Sequence, residues 1–272
     1  MKRLHVVAVV LTLCASGARA NMFDDCNQGK DLERMIRGCT QILERGDKET
    51  PKTRAAAYYA RGWAYLNKGD YDRAIADYTK AIALDPNNAS AYVGRGAAYY
   101  HKGDYDRAFA DYDKAIALDP TFANAYVGRG AAYHNKGDHD RAIADYDKAI
   151  ALDPNNASAY TNRGLAYRKN GEVDRAFADY ERAIALDPKF AKAYIGRGAA
   201  YYHKGDHDRA IADYDKAIAL KPNDLAAYFN RGLAYEKKGD KEKAIADYRK
   251  TLAINPSNQD AINALKGVGV VP

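Results

Sequence analysis

ASAYVGRGAAYYHKGDYDRAFADYDKAIALDPTF, residues 89–122, is one 34-residue unit that the chain repeats with few changes. A glycine, an Arg-Gly pair and a proline each recur at this spacing. The six prolines are Pro86, Pro120, Pro154, Pro188, Pro222 and Pro256. A fixed period of this length is typical of stacked-repeat proteins, which copy one supersecondary unit along an axis. The sequence therefore predicts a repeat fold and favours a binding surface over an active site.

Each unit has the start and stop signals of two helices. In the quoted unit, Asn88 can cap a first helix over residues 91–102. Gly103 then permits a left-handed turn, and Asp104 can cap a second helix over residues 106–118. Because the residue before a proline avoids helical geometry, the proline ends the unit. The sequence thus predicts a helical hairpin.

This pattern resembles the tetratricopeptide repeat, which combines aromatic residues at positions 4, 11 and 24 with small residues at 8, 20 and 27 and proline at 32. In the first unit these positions hold Tyr58, Tyr65, Tyr78, Gly62, Ala74, Ala81 and Pro86. The resemblance implies an all-α fold, a right-handed superhelical solenoid of six hairpins. The units are residues 55–88, 89–122, 123–156, 157–190, 191–224 and 225–258.

One departure from the family pattern recurs in all six units. Position 7, usually apolar, is arginine from Arg61 to Arg231, and position 23 is aspartate from Asp77 to Asp247. We predict an Arg–Asp ion pair between the two helices of each unit. The alternative is a ladder of arginines that binds anions.

The N-terminal residues 1–20 read as a secretory signal peptide. Lys2 and Arg3 precede an apolar run, and Ala18-Arg19-Ala20 offers a small-x-small cleavage pattern. The alternatives are an ordinary buried helix and a lipoprotein modified at Cys14. We therefore expect an exported protein, with a bacterial periplasmic location favoured.

Removal of that segment leaves two cysteines, Cys26 and Cys39, and an even pair in an exported chain predicts one disulfide. Two free buried thiols are the alternative if the chain is not exported. The bond would pin the incoming strand to residues 31–45, which resemble the second helix of a unit without its partner. Residues 21–54 are thus expected to form an N-terminal half-repeat.

The other end of the array, residues 259–272, is expected to form a C-terminal capping helix and tail. Ser257 and Asp260 make a capping-box-like start, and Ala261, Ile262 and Leu265 give the helix an apolar face. Gly267 is expected to end the helix and leave a loose tail.

Most of the 23 tyrosines fall at repeat positions 4, 11 and 24, where packing explains them. The family resemblance implies that the first helices line a concave groove. The candidate groove residues are Tyr59, Trp63, Tyr100, His101, His134, Asn162, Arg168, Lys169, Lys192, Tyr202, His203, Phe229, Asn230 and Lys237. This groove would be aromatic near its start and basic near its end. We expect a peptide or protein segment with an apolar anchor and acidic character, the alternative being that these residues are merely solvated.

Signals for other functions are weak. The formal net charge of +6 includes Lys2, Arg3 and Arg19 of the signal segment, so the remainder is too balanced to indicate a nucleic-acid partner. His203 and His207 are separated by a turn, and no nucleophile–base set stands out. We expect no enzyme activity, no cofactor and no metal. A scaffold that recruits a partner is favoured, and a non-catalytic regulatory subunit of an envelope enzyme or secretion complex is the alternative.

Overall fold

The computed structural model describes residues 17–271, with side chains from residue 21 onward. Cys14 therefore lies outside the described residues, and so does most of the predicted signal peptide over residues 1–20. Within the described range all regular structure is helical. No helix in this range is long and apolar enough to cross a membrane.

Between Asp138 and His139 the chain divides into two compact units, each of which contains several of the 34-residue repeats. The first unit contains α1 (Gly17–Asn27), α2 (Leu32–Glu44), α3 (Pro51–Lys68), α4 (Tyr71–Leu84), α5 (Ala89–His101), α6 (Tyr105–Leu118) and α7 (Ala123–Asn135). The second contains α8 (His139–Leu152), α9 (Ala157–Lys169), α10 (Val173–Leu186), α11 (Ala191–His203), α12 (His207–Leu220), α13 (Leu225–Lys238), α14 (Lys241–Ile254) and α15 (Gln259–Gly267). Within each unit, every helix packs on the next one along the chain. This confirms the predicted all-α fold of consecutive hairpins.

The turn inside the hairpin of residues 89–122 forms as the sequence predicts. Gly103 adopts a left-handed conformation with φ of +77°, which is open to glycine at little steric cost. Asp104 then caps α6 by accepting a hydrogen bond from the backbone N–H of Arg107. Such a cap stabilises a helix by about 1 kcal/mol. Asn88 caps α5 in the same way.

The tyrosine at repeat position 24 forms the centre of each hairpin. Tyr78 is buried, and its ring lies between Gly62 of α3 and Gly94 of α5. A Cβ atom built on Gly94 would lie 2.4 Å from the Tyr78 Cζ atom. The small residues therefore let successive first helices close over the ring. The position-24 tyrosines are Tyr78, Tyr112, Tyr146, Tyr180, Tyr214 and Tyr248, and all are buried.

Five of the six predicted Arg–Asp pairs are present. Each guanidinium donates from Nε and Nη2 to the two carboxylate oxygens over 2.6–2.9 Å. The pairs are Arg61–Asp77, Arg95–Asp111, Arg163–Asp179, Arg197–Asp213 and Arg231–Asp247. The sixth predicted pair would join Arg129 of the first compact unit to Asp145 of the second, and it stays a prediction. Because these five arginines are already engaged by carboxylates, the ion-pair interpretation is favoured over an anion-binding ladder.

The N-terminal region differs from the expected lone helix with an incoming strand. Residues 32–44 are helical as predicted, but the preceding segment is helix α1, which packs on α2 to make a second hairpin. Met22 and Cys26 of α1 are buried against Met35 and Cys39 of α2. The predicted disulfide is present between Cys26 and Cys39, whose Cα atoms lie 4.6 Å apart. Tertiary packing thus supplies the partner that the sequence pattern did not show.

The C-terminal helix α15 forms as expected, but its cap is Asn258, which accepts from the Ala261 N–H at 2.8 Å. Ser257 instead bonds to Asn255 of the preceding turn. Its apolar face is confirmed, since Leu265 is buried against the last hairpin. The tail is not wholly loose, because Val270 packs against the same cluster.

Candidate functional site

The first helices of the hairpins lie side by side within each unit. In the first unit α3 contacts α5 and α5 contacts α7, and in the second unit α9 contacts α11 and α11 contacts α13. We call the surface formed by each row its first-helix face. All the candidate groove residues from Tyr59 to Lys237 lie on these helices.

In the first unit, two predicted anchors are largely used in packing. The Tyr59 ring lies 5.8 Å from the Tyr78 ring, and burial raises the pKa of Tyr59. Trp63 is partly buried and packs against the apolar clusters on both sides of α3. Both side chains are therefore largely used in packing, and each is only partly exposed on the first-helix face.

Tyr100 and His101 belong to a cluster of rings at the edge of the first unit. The Tyr100 hydroxyl accepts a hydrogen bond of 2.7 Å from Asn135 Nδ2. His101 is exposed and stacks on Tyr71, with ring centroids 5.1 Å apart and planes 9° apart. Tyr105 lies 6.0 Å from the Tyr100 ring. The structure thus joins tyrosines that the repeat pattern left without a core role.

The first-helix face of the second unit is basic. Burial lowers the pKa of His203 on α11, and the positive charges of Arg168 and Lys169 at the end of α9 lower it further. Lys192 and Lys237 are exposed on α11 and α13. None of these four lysines and arginines forms an ion pair with a described residue.

Arg168 lies beside the buried tyrosine of its own hairpin. Burial raises the pKa of Tyr180 to about 12, and the Arg168 guanidinium acts in the opposite direction. The Arg168 side chain interacts with the Tyr180 hydroxyl, but not with the length and angle of an ordinary hydrogen bond, and the buried hydroxyl and Arg168 Nε have no such bond to any described residue. Arg168 also lowers the pKa of Tyr214, which burial raises. The Arg168 charge therefore acts on the tyrosines of its own hairpin and of the next.

In the last hairpin the side chains at the equivalent positions form a hydrogen bond. There Tyr248 donates a hydrogen bond of 2.6 Å to Glu236 Oε2, and burial raises the pKa of Tyr248. Phe229 lies 5.8 Å from the Tyr248 ring. Burial and then Glu236 raise the pKa of Tyr202.

The remaining candidates also fall on the first-helix faces. Asn162 and Asn230 are half-buried on α9 and α13, and His134 is half-buried on α7. Among residues 17–271, no group of three or more His, Cys, Asp or Glu side chains is placed to hold a metal ion.

Comparison with protein-family models gave matches to consecutive stretches of the chain. Tetratricopeptide repeat models match residues 59–121, 111–144 and 225–258. A model described as a TPR repeat matches residues 132–171, 164–205 and 198–239. These matches together span residues 59–258. The chain belongs to the tetratricopeptide repeat family.

Several solved structures share the fold. A tetratricopeptide repeat protein from Parabacteroides merdae has a TM-score of 0.73 at 21% identity, with 92% of this chain and 96% of that chain covered. PilW, a type IV pilus biogenesis factor, has a TM-score of 0.67 at 21% identity, with coverage of 78% and 98%.

The APC/C hetero-tetramer Cut9-Hcn1 has a TM-score of 0.75 at 21% identity, with 93% of this chain covered. The chain spans 48% of the length of that chain. Comparison with curated proteins gave no match.

Sequence reasoning placed Arg168 on the first-helix face but missed its relation to Tyr180. The available signal was position 12 of the 34-residue repeat, which holds arginine only in the fourth repeat. Repeat position 6 is glycine in the second, third and fifth repeats. Gly196 leaves room for the Tyr180 ring, which a Cβ atom would approach to 2.4 Å.

Proposed function

We propose that this protein is a non-enzymatic scaffold that binds an acidic, partly apolar segment of a partner protein on its first-helix faces. The observation that carries the proposal is a group of four cations on the first-helix face of the second compact unit that form no ion pair with residues 21–271, namely Arg168, Lys169, Lys192 and Lys237. By contrast, the arginines between the helices of this unit are engaged by aspartates. An unpaired basic face favours an acidic partner by charge complementarity.

Apolar residues on the same face supply the rest of the binding surface. Leu165, Leu233 and Phe229 are only partly buried, and they lie on α9 and α13 among the cations. Apolar and aromatic anchors usually provide most of the affinity of such a surface, while charges increase the association rate and the selectivity.

The proposed location is outside the cytoplasm. The order of charged, apolar and small residues over residues 1–20 supports export, and the Cys26–Cys39 pair supports an oxidising compartment. Expression of the full chain in a bacterial host tests this. We expect an N-terminus at Asn21 and thiols that resist alkylation until a reductant is added. An unprocessed chain with two free thiols would contradict export.

The binding proposal is tested by partner capture from the native envelope fraction. We compare the wild-type chain with a variant in which Arg168, Lys169 and Lys192 are changed to glutamate. A matched control changes Lys148, Arg182 and Lys216, which are exposed on the second helices of the same unit, to glutamate. Both variants shift the net charge equally.

We expect the first variant to lose a captured protein that the control retains. Equal capture by all three proteins would place binding elsewhere. That result would favour the alternative role as a regulatory subunit that docks through another surface.

A further inference from the structure

The side chains at repeat positions 12 and 24 form a hydrogen bond in the last hairpin, whereas no hydrogen bond of ordinary geometry joins them in the fourth hairpin. In the last hairpin Glu236 accepts the hydrogen bond of the Tyr248 hydroxyl at 2.6 Å. In the fourth hairpin Arg168 stands in place of the glutamate, and an arginine has five N–H donors and no acceptor. The acceptor that completes the pair is therefore missing there.

The polar atoms at this place are buried. Tyr180 has no exposed surface, and neither its hydroxyl nor Arg168 Nε has a hydrogen-bond partner within residues 17–271. A buried polar atom without a partner is rare in folded proteins because it loses its bonds to water. Two neighbouring atoms of this kind indicate a group that is supplied from outside the chain.

The surroundings define the charge of that group. Arg168 carries one positive charge and Lys169 a second, and both act on His203 of the neighbouring helix. The Tyr180 ring packs under Gly196, which has no side chain to cover it. An anion with a flat, two-oxygen head fits the fork of a guanidinium better than a single point charge does.

We propose that Arg168 and the Tyr180 hydroxyl form a carboxylate-binding pocket on the first-helix face of the second unit. The proposal rests on the proposed function, and it specifies the chemistry of the bound segment at one place. The partner contributes a carboxylate, from an acidic side chain or from its C-terminus. Both oxygens accept from the guanidinium fork, and one of them also accepts from the phenol. Arg168 is partly exposed, so the acid meets the guanidinium first.

The test measures the Arg168 Nε–Hε signal by NMR in the purified mature chain, titrated with three peptides. Acetyl-Leu-Glu-Phe-amide offers a side-chain carboxylate, acetyl-Leu-Gln-Phe with a free C-terminus offers a terminal one, and acetyl-Leu-Gln-Phe-amide offers none. We expect a saturable shift with one or both of the acidic peptides. The neutral peptide is expected to bind at least about tenfold more weakly, the loss of one charge-assisted hydrogen-bonded contact.

Two variants check that the pocket itself binds. Arg168→Gln and Tyr180→Phe are each expected to weaken binding of the acidic peptide by about tenfold to a hundredfold, the range for a hydrogen bond to a charged group. In these variants binding is followed by fluorescence anisotropy of dye-labelled peptides. The matched controls are Arg182→Gln on the exposed side of α10 and Tyr112→Phe at the same repeat position in the first compact unit, and they are expected to retain binding.

The outcomes separate this pocket from the proposed function. Equal affinity for all three peptides, no shift at Arg168, or equal weakening by the control variants would overturn the pocket. If native partner capture nevertheless depends on the basic face, the scaffold proposal stands without the pocket. Tyr180→Phe removes only one oxygen, so a change in its circular dichroism spectrum is not expected and a loss of binding cannot be attributed to unfolding.

Discussion

Arg163 donates two parallel hydrogen bonds to Asp179, from Nε to Oδ2 at 2.8 Å and from Nη2 to Oδ1 at 2.7 Å. Its Nη1 donates a third hydrogen bond, of 2.5 Å, to Asp147 of the preceding helix. One guanidinium thus ties the two helices of a hairpin to each other and to the preceding helix. The Asp179 side chain is 7% exposed and that of Asp147 is 52% exposed. The two carboxylates are therefore expected to contribute unequally.

Removal of the buried carboxylate should strongly destabilise the second unit. Asp179→Ala leaves the part-buried Arg163 guanidinium without its main partner, and breaking such a pair costs about 3–5 kcal/mol. Asp147→Ala breaks an exposed contact that is worth about 1 kcal/mol or less. Urea unfolding followed by circular dichroism measures both free energies of unfolding. Similar values for the two variants would contradict the central role of the buried pair.

Glycine at repeat position 6 should resist substitution despite its low helix propensity. Gly94→Ala places a Cβ atom 2.4 Å from the Tyr78 ring, and overpacking of this kind costs about 1–3 kcal/mol. Gly267→Ala is the matched control, since that helical glycine has no atom within 4 Å of the new Cβ. The control should gain up to about 1 kcal/mol from helix propensity. Thermal unfolding of both variants checks the opposite signs.

These two predictions show what the sequence could and could not reveal. The 34-residue spacing predicted the hairpins, the caps at Asn88 and Asp104 and the Arg–Asp pairing, because each depends on residues close in sequence or at fixed repeat positions. Helix α1 was missed because its segment, residues 17–27, has no apolar periodicity and is held by packing of Met22 and Cys26 on α2. The open pair of Arg168 and Tyr180 was missed because it depends on where a buried hydroxyl lies relative to another helix.

The disulfide should hold α1 on the rest of the first unit. Replacing both Cys26 and Cys39 by serine removes a cross-link across a sequence separation of 13 residues. The chain-entropy estimate for a loop of this size is about 3 kcal/mol. We expect hydrogen exchange in α1 and α2 to accelerate before that in α13 and α14. The same acceleration should follow reduction of the wild-type chain, and unchanged protection would contradict a structural role for the bond.

Acid should weaken the capped turns. The hydrogen bonds of Asp104 with Arg107 and of Asp206 with Arg209 lower the pKa of both aspartates. A lowered pKa in the folded state means that the stabilisation is present above the unfolded pKa, near 4, and is lost as the pH falls through the folded value.

Asn caps helices about as well as Asp but does not titrate. The double variant Asp104→Asn and Asp206→Asn is therefore expected to show a shallower fall in melting temperature between pH 5 and about pH 2. Parallel curves for variant and wild type would show that these caps do not contribute to the acid sensitivity.

Loss of one hydroxyl should have different effects in two equivalent tyrosines. Tyr248→Phe removes the hydrogen bond to Glu236 and should lower the free energy of unfolding by about 1.5–3 kcal/mol, as for bonds to charged groups. Tyr180→Phe removes a buried hydroxyl that has no partner within residues 17–271, so the free energy of unfolding should stay equal or rise. Both rings are fully buried, which makes the pair a matched comparison. Urea unfolding of the two variants in the absence of peptide measures the difference, and an equal loss in both would mean that the Tyr180 hydroxyl is already satisfied in the free protein.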